Sequence, residues 1–133
     1  ITKKGDVLIS KSGSLGTCAI VDSDKEFTTY ESIFTVRTKK DILNNIFLIN
    51  LIRNPSLQIK LLGGKVGGTV SHLNLSMFKN FEFPLPPIEL QNKFASIVKE
   101  VEAMKEQQKH SKNQINNLFN ALMQKAFKGE LKC

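Results

Sequence analysis

The segment of this chain best suited to chemistry is a glycine-rich stretch, residues 63–69, that carries Lys65. Clustered backbone N–H groups beside a lysine can hold an anion such as a phosphate. A nucleotide-binding P-loop requires a glycine, four further residues and then Gly-Lys-Ser or Gly-Lys-Thr. No lysine follows either of the two later glycines, so the spacing excludes that site. The stretch instead predicts a loop that offers Lys65, Thr69 and Ser71 to a polyanion.

The other reactive side chains form no recognisable catalytic or metal-binding pattern. The carboxylates before residue 88 are scattered, and His72 has no acidic or cysteine neighbour in sequence with which to move a proton. The two cysteines, Cys18 and Cys133, give no disulfide framework and no metal-ligand spacing. We therefore predict no catalytic residue, no metal and no cofactor. His72 has two open interpretations, a histidine that pins its own loop or a contact to nucleic acid.

Charge is unevenly distributed along the chain. The formal net charge is +7, from 11 basic and 7 acidic residues before residue 88 and 8 basic and 5 acidic residues from there onward. Residues 42–81 contain no carboxylate, which favours a surface attractive to polyanions, of which nucleic acid is the commonest. Chance placement of neutral polar residues is the alternative. The cations of this acid-free stretch are Arg53, Lys60, Lys65 and Lys79, with His72 beside them.

Length and composition are typical of one folded domain. The 133 residues include 41% apolar residues and no tryptophan. No apolar run approaches the length of a membrane span, and no secretion signal opens the chain. These features predict a protein of the reducing cytoplasm with no membrane partner. Because the chain opens on Ile1 rather than on methionine, we expect it to be part of a longer protein.

Four short segments before the prolines favour β-strands. Apolar runs at residues 6–10 and 17–21, separated by a turn rich in glycine and serine, indicate a β-hairpin. Alternation over residues 31–37 favours a third strand, and residues 81–83 favour a last strand. These strands supply the β part of the predicted domain.

Helices are expected between the third and the last of these strands. Asp41 is expected to cap a buried helix over residues 42–53, which Asn54-Pro55 ends. Shorter helical segments are expected over residues 56–62 and 75–78. The mixture of strands and helices predicts an α+β domain.

The last third of the chain predicts one long helix. Prolines occupy positions 84, 86 and 87, and the next glycine is Gly129. Proline is tolerated in the first turn of a helix, Glu89 suits the positive end of the helix dipole, and glycine commonly follows the last turn. At about 1.5 Å per residue, a helix over residues 88–128 would rise about 60 Å. The remaining residues cannot wrap that length, so we expect the helix to pair with another helix.

The apolar residues of this helix follow a heptad repeat, the pattern of a coiled coil. Steps of four and three residues alternate through two polar positions, so one central pair of layers is polar, which costs stability but can fix register. Beyond residue 115 the apolar set widens to include Phe119 and Phe127, which predicts a second contact surface. The residues predicted to pair are Leu90, Phe94, Ile97, Val101, Met104, Gln108, Ser111, Ile115, Leu118 and Leu122.

Four short motifs occur in a fixed order along the chain. They are GDVLISKSGSLG from residue 5, TVSHLN from residue 69, FPLPPIELQ from residue 83 and AFKGEL from residue 126. Together they resemble the DNA specificity subunit of type I restriction-modification systems, a component of bacterial defence. In that family a target recognition domain reads one half of a split DNA sequence, and a long spacer helix follows it.

The resemblance implies a division of labour within the chain and between subunits. Residues 1–87 would be part of a target recognition domain, and residues 88–133 would be the spacer helix. The implied partners are double-stranded DNA, the modification (methyltransferase) subunits, and a second spacer helix in cis or from a homodimer. S-adenosylmethionine and ATP would belong to the partner subunits, so the chain itself is expected to be no enzyme.

The resemblance also implies which loops face DNA. By position, the turn at residues 11–14 and the loop at residues 65–72 look like the DNA-facing loops of the family. Lysines there suit phosphates or guanine, while hydroxyls and histidine suit hydrogen bonds to bases or backbone. The residues predicted to contact DNA are Lys11, Ser12, Ser14, Lys60, Lys65, Thr69, Ser71 and His72.

A second interpretation remains open beside this one. The chain would then be a protein–protein interaction module that assembles through its coiled coil and binds no DNA. Its basic charge would be incidental.

Overall fold

A computed structural model describes residues 1–11, 17–61 and 73–129 of the chain. The chain divides into two units, Ile1–Ala95 and Ser96–Cys133, and the boundary falls inside the long last helix. The first unit combines a small sheet with short helices. The α+β class predicted from the sequence is confirmed.

In the part of the chain that the structure describes, three short strands form one antiparallel sheet. They are β1 (Val7–Ser10), β2 (Cys18–Ile20) and β3 (Ile33–Val36), in the order β2, β1, β3. The central strand β1 alternates between buried and half-buried residues, as expected of a strand with one face on a core. The predicted hairpin of the first two strands is therefore confirmed, and the third strand pairs with the other side of β1.

Four helices follow the sheet in the described residues. They are α1 (Asn45–Arg53), α2 (Pro55–Leu61), α3 (Leu75–Lys79) and α4 (Ile88–Phe127). The apolar face of α1 covers the sheet, as predicted for a buried helix. One hydrophobic core results, formed by Val7, Ile9, Cys18, Leu48, Ile49, Ile52, Leu61 and Leu73.

The cap of α1 differs from the prediction. Asn44, not Asp41, accepts hydrogen bonds from the backbone N–H groups of Ile46 and Phe47, at 2.9 and 3.2 Å. The expectation for Asp41 is wrong because the next two backbone N–H groups both donate to the carbonyl of Lys39. That separate turn delays the start of the helix.

The predicted last strand over residues 81–83 is also wrong. The backbone N–H of Phe81 donates to the carbonyl of Phe78 at 3.3 Å, so it closes the end of α3 instead of pairing with a strand. The rings of Phe81 and Phe83 pack together with centroids 5.5 Å apart. The segment therefore runs from α3 to the prolines in irregular conformation.

Helix α4 begins and ends where proline, glycine and charge predict. Glu89 lies in the first turn and Lys125 in the last turn, each at the favourable end of the helix dipole. Gly129 has a φ of +70°, the left-handed conformation that glycine adopts most readily after a helix. Its backbone N–H donates to the carbonyl of Ala126 at 3.2 Å.

A buried glutamine fastens the first turns of α4 to the rest of the first unit. Gln91 is 0% exposed. Its amide oxygen accepts from the backbone N–H of Asn44 at 2.9 Å, and its Nε2 donates to the carbonyls of Ile42 and Pro86 at 3.1 and 2.8 Å. One side chain thus joins the cap of α1, the turn before it and the proline segment.

Two contacts beside Gln91 reinforce this attachment. The Asn44 side chain donates to Asn92 Oδ1 at 2.9 Å. The rings of Phe47 and Phe94 meet edge to face with centroids 5.9 Å apart. Polar and aromatic contacts therefore act together at the base of the helix.

A buried carboxylate joins the start of β1 to the end of β3. Asp6 is 1% exposed and accepts from Arg37 Nε at 2.8 Å, from Arg37 Nη2 at 2.7 Å and from the Lys3 backbone N–H at 2.8 Å. The Arg37 guanidinium, more than any other group, lowers the pKa of Asp6 below its usual value. The carboxylate is therefore charged and fully paired at neutral pH.

Replacing Gln91 tests whether its amide holds the base of α4. Gln91→Leu keeps the volume but leaves one buried N–H and two carbonyls without this partner, so we expect a loss of about 1–3 kcal/mol in the free energy of unfolding. Urea denaturation measures it. Gln124→Leu, an exposed glutamine of the same helix, is the matched control, with an expected change within about 0.5 kcal/mol. Equal midpoints for the two variants would contradict this role.

Candidate nucleic-acid interface

The boundaries of both predicted DNA-facing loops meet at one end of the sheet. The backbone N–H of Ser10 donates to the carbonyl of Thr17 at 3.0 Å, which closes the hairpin around residues 12–16. The backbone N–H of Leu73, which follows residues 62–72, donates to the carbonyl of Lys11 at 2.7 Å. Leu61, which precedes that segment, belongs to the same core cluster as Leu73. The residues that flank the two predicted DNA-facing loops are therefore close together in space although they are far apart in sequence.

Lys11 lies at the centre of this junction. Its backbone N–H donates to the carbonyl of Ser32 at 2.9 Å, so the residue is bonded both to the entry of β3 and to Leu73. Its Nζ lies 4.5 Å from the centroid of the Phe34 ring, which in turn stacks on Phe78 with centroids 5.9 Å apart. A cation over a ring is attracted by the π-electron face, so this contact favours a position of the ammonium group over Phe34, at this end of the sheet.

Lys60 lies in a different environment from Lys11. It is exposed in the last turn of α2 and lines a pocket of about 440 Å³ together with Met77, Asn80 and Phe81. Glu82 also lines that pocket, so a carboxylate opposes an incoming phosphate there. The structure therefore supports Lys60 as a DNA contact less well than Lys11.

The other predicted contacts remain predictions. They lie outside the described residues and are Ser12, Ser14, Lys65, Thr69, Ser71 and His72.

Two exposed residues at the same end of the sheet were not predicted from the sequence as DNA contacts. Tyr30 is 84% exposed, and its carbonyl accepts from the backbone N–H of Ile33 at 3.0 Å in the turn before β3. Ser32, whose carbonyl binds Lys11, is exposed beside it. An aromatic ring and a hydroxyl suit stacking on a sugar or base and hydrogen bonding to a phosphate. The only signal in the sequence was that the chain has a single tyrosine.

Cys18 belongs to the core and not to a reactive site. It is buried, its thiol donates weakly to the Ile49 carbonyl at 3.8 Å, and burial raises the pKa of that thiol. A protonated, buried thiol is a poor nucleophile. Among the described residues no group of three or more histidine, cysteine, aspartate and glutamate side chains is arranged to hold a metal ion.

The seam of α4 is open to solvent along the helix. Its eight apolar residues are between 38% and 66% exposed, and Gln108 and Ser111 are exposed with them. Phe119 and Phe127, on the wider apolar face, are 60% and 83% exposed. No helix in the described parts of the chain is both long and apolar enough to cross a membrane. This face therefore offers a large apolar surface to a partner.

Comparison with known proteins places the chain in a family. Residues 1–117 match the type I restriction modification DNA specificity domain. The chain belongs to this family. The resemblance inferred from the four motifs is thus confirmed. The match covers the sheet, the short helices and most of α4.

Two curated relatives of this DNA specificity family align with most of the chain. The EcoBI type I restriction enzyme specificity subunit of Escherichia coli is 27% identical over 97% of the chain and 28% of its own length. The HindORF215P type I restriction enzyme specificity subunit of Haemophilus influenzae is 28% identical over 77% of the chain and 25% of its own length. The chain therefore spans roughly a quarter of the length of either relative.

Proposed function

We propose that this chain is a sequence-specific DNA-binding module of a type I restriction-modification complex. It reads one part of a bipartite target and positions the modification and restriction subunits there. It carries no catalytic residue, and S-adenosylmethionine and ATP are handled by the partner subunits. The observation that carries the proposal is the junction around Lys11, where the boundaries of both loops meet, in a chain of the DNA specificity family.

The electrostatics of the first unit support DNA as the ligand. Residues 42–81 contain no carboxylate, so the segment between Leu61 and Leu73 carries only neutral and basic side chains. Lys11 adds a cation at this end of the sheet, over the ring of Phe34. A DNA surface repels acids and attracts such segments over several ångströms.

We propose two kinds of contact between this chain and DNA. Lysines 11 and 65 bind phosphates or guanine, and the hydroxyls and histidine of the two loops bind base edges or backbone. Tyr30 and Ser32 add one aromatic ring and one hydroxyl to the proposed DNA contacts at the same end of the sheet. Lys60 contributes least because Glu82 shares its pocket.

The salt dependence of DNA binding tests this function. In the full-length protein, Lys65→Ala should weaken binding to duplex DNA and reduce the slope of log K against log salt by about 0.9, the value for one lost phosphate contact. Mobility-shift titrations at several salt concentrations measure both quantities. Lys99→Ala removes the same charge from the outer face of α4 and should leave the slope unchanged.

Two outcomes would count against the proposal in different ways. An unchanged slope for Lys65→Ala would place that loop away from DNA. Absence of binding to random duplex DNA by the unaltered protein at low salt would instead favour the interaction module. The exposed seam of α4 is the observation that keeps this second function open.

We propose further that α4 pairs through its seam with a second helix of the same kind, in cis or from another copy. Near the centre of the seam, Met104, Gln108, Ser111 and Ile115 line a depression of about 500 Å³. The short side chain of Ser111 leaves room for a side chain from the partner, as knobs fill holes in coiled coils. The polar layer there would fix the register, and two antiparallel copies would place it close to their two-fold axis.

Solution mass tests the pairing. The chain should form a dimer, and Val101→Glu with Leu118→Glu should abolish it because buried, unpaired carboxylates are strongly unfavourable in an apolar seam. Lys99→Glu with Lys109→Glu places the same two acids on the outer face and should retain the dimer. Analytical ultracentrifugation distinguishes the species. A monomer at all concentrations of the unaltered chain would contradict self-pairing.

The wider apolar face at the end of α4 is the proposed docking surface for a modification subunit. Phe119, Met123 and Phe127 are exposed there, beyond what one seam requires. Exposed aromatic residues of this kind commonly anchor protein partners.

A further inference from the structure

A basic cleft lies at the end of the sheet opposite to the Lys11 junction. It has a volume of about 560 Å³ and is open to solvent. Segments before β1, after β3, at the start of α1 and in α4 all contribute to it. The lining residues with polar or charged side chains are Lys3, Lys4, Asp6, Arg37, Thr38, Lys40, Asn44, Asn45 and Asn92.

Arg37 is pre-oriented in this cleft. Its Nε and Nη2 donate to the carboxylate of Asp6, whose side chain is 2% exposed. The Arg37 side chain itself remains 55% exposed. A guanidinium held on one edge keeps its Nη1 donors for another acceptor and loses little rotamer entropy when that acceptor binds. The Asp6 carboxylate thus acts as a support for an exposed, ordered cation.

The charge balance of the cleft favours an anion. Among the described residues, four cationic side chains line it, and the one carboxylate, Asp6, is already paired with Arg37. Lys4 also pairs with the exposed Asp24 at 3.3 Å, but both groups are well solvated, so this pair is weak. The first turn of α1, which starts at the cleft, contains no acidic residue that would repel an anion. The cleft therefore has a net positive charge.

We propose that this cleft binds the sugar–phosphate backbone of the same duplex whose bases the Lys11 end reads. This inference rests on the proposed function. Strand β1 connects the two ends, and the five steps from Asp6 to Lys11 span about 16 Å at about 3.3 Å per residue. A duplex advances about 34 Å in one turn. Both ends are therefore within reach of a single half-turn of DNA.

A phosphate backbone fits the cleft better than a base edge does. Lysines and an arginine supply charge and fixed donors, which position a duplex without carrying sequence information. The cleft would therefore add affinity, equally for all sequences, to the discrimination made at the Lys11 end. Its residues come from separate parts of the chain, so each could change without altering the bases that the loops read.

The test replaces two exposed lysines of the cleft and leaves Asp6 and Arg37 in place. In the full-length protein, Lys3→Gln with Lys40→Gln should reduce the slope of log K against log salt by about 1.8, from two lost phosphate contacts. Binding to target and to random duplex should weaken by the same factor, so the ratio of the two affinities should not change. Lys99→Gln with Lys109→Gln is the matched control and should alter neither quantity.

The outcomes separate the cleft from the proposed function. An unchanged slope in a protein that still binds its target would overturn the cleft as a DNA contact and suggest an acidic protein surface as its ligand. A change in the ratio of target to random affinity would overturn its assignment to the backbone. If the unaltered protein bound no DNA at all, the proposed function itself would fail.

Discussion

The attachment of α4 to the rest of the first unit depends on the buried amide of Gln91. It makes the first turns of α4 part of the first unit, because its three hydrogen bonds satisfy groups from the α1 cap, the preceding turn and the proline segment. A buried polar group with all its partners specifies one arrangement, since any other leaves them unpaired. If α4 sets the distance between two half-sites, as we propose, its first turns must be fixed in this way.

In our proposal the sheet separates two kinds of DNA contact, one at each of its ends. Backbone bonds around Lys11 gather the loop boundaries at one end, while the Asp6–Arg37 pair orders a cation at the other. The core strand β1, with Val7 and Ile9 buried, connects them rigidly. In our proposal this arrangement lets base reading vary in the loops while contacts to the DNA backbone stay constant.

Much of the secondary structure could be predicted from local signals in the sequence. The features that could not be predicted depend on tertiary contacts. Proline and Gly129 predicted the bounds of α4, because helix boundaries follow local chemistry. Gln91 was not foreseen, since it lies outside the a and d positions and is buried only by distant partners. Asp41 failed as a cap because the Lys39 carbonyl forms a competing turn. The cleft combines four separate segments, and the cations that line it all lie outside residues 42–81, the stretch whose lack of carboxylates suggested a basic surface.

The most direct test of the account changes the length of the proposed spacer. Duplicating residues 101–107 in each of the paired helices keeps the heptad phase and adds about 10.5 Å at about 1.5 Å per residue. At about 3.4 Å per base pair, this equals roughly three base pairs. Selection from a library of duplexes with varied half-site spacing should yield the same half-sites separated by about three more base pairs. Retained binding with an unchanged spacing would contradict the role of α4 as the element that sets the distance.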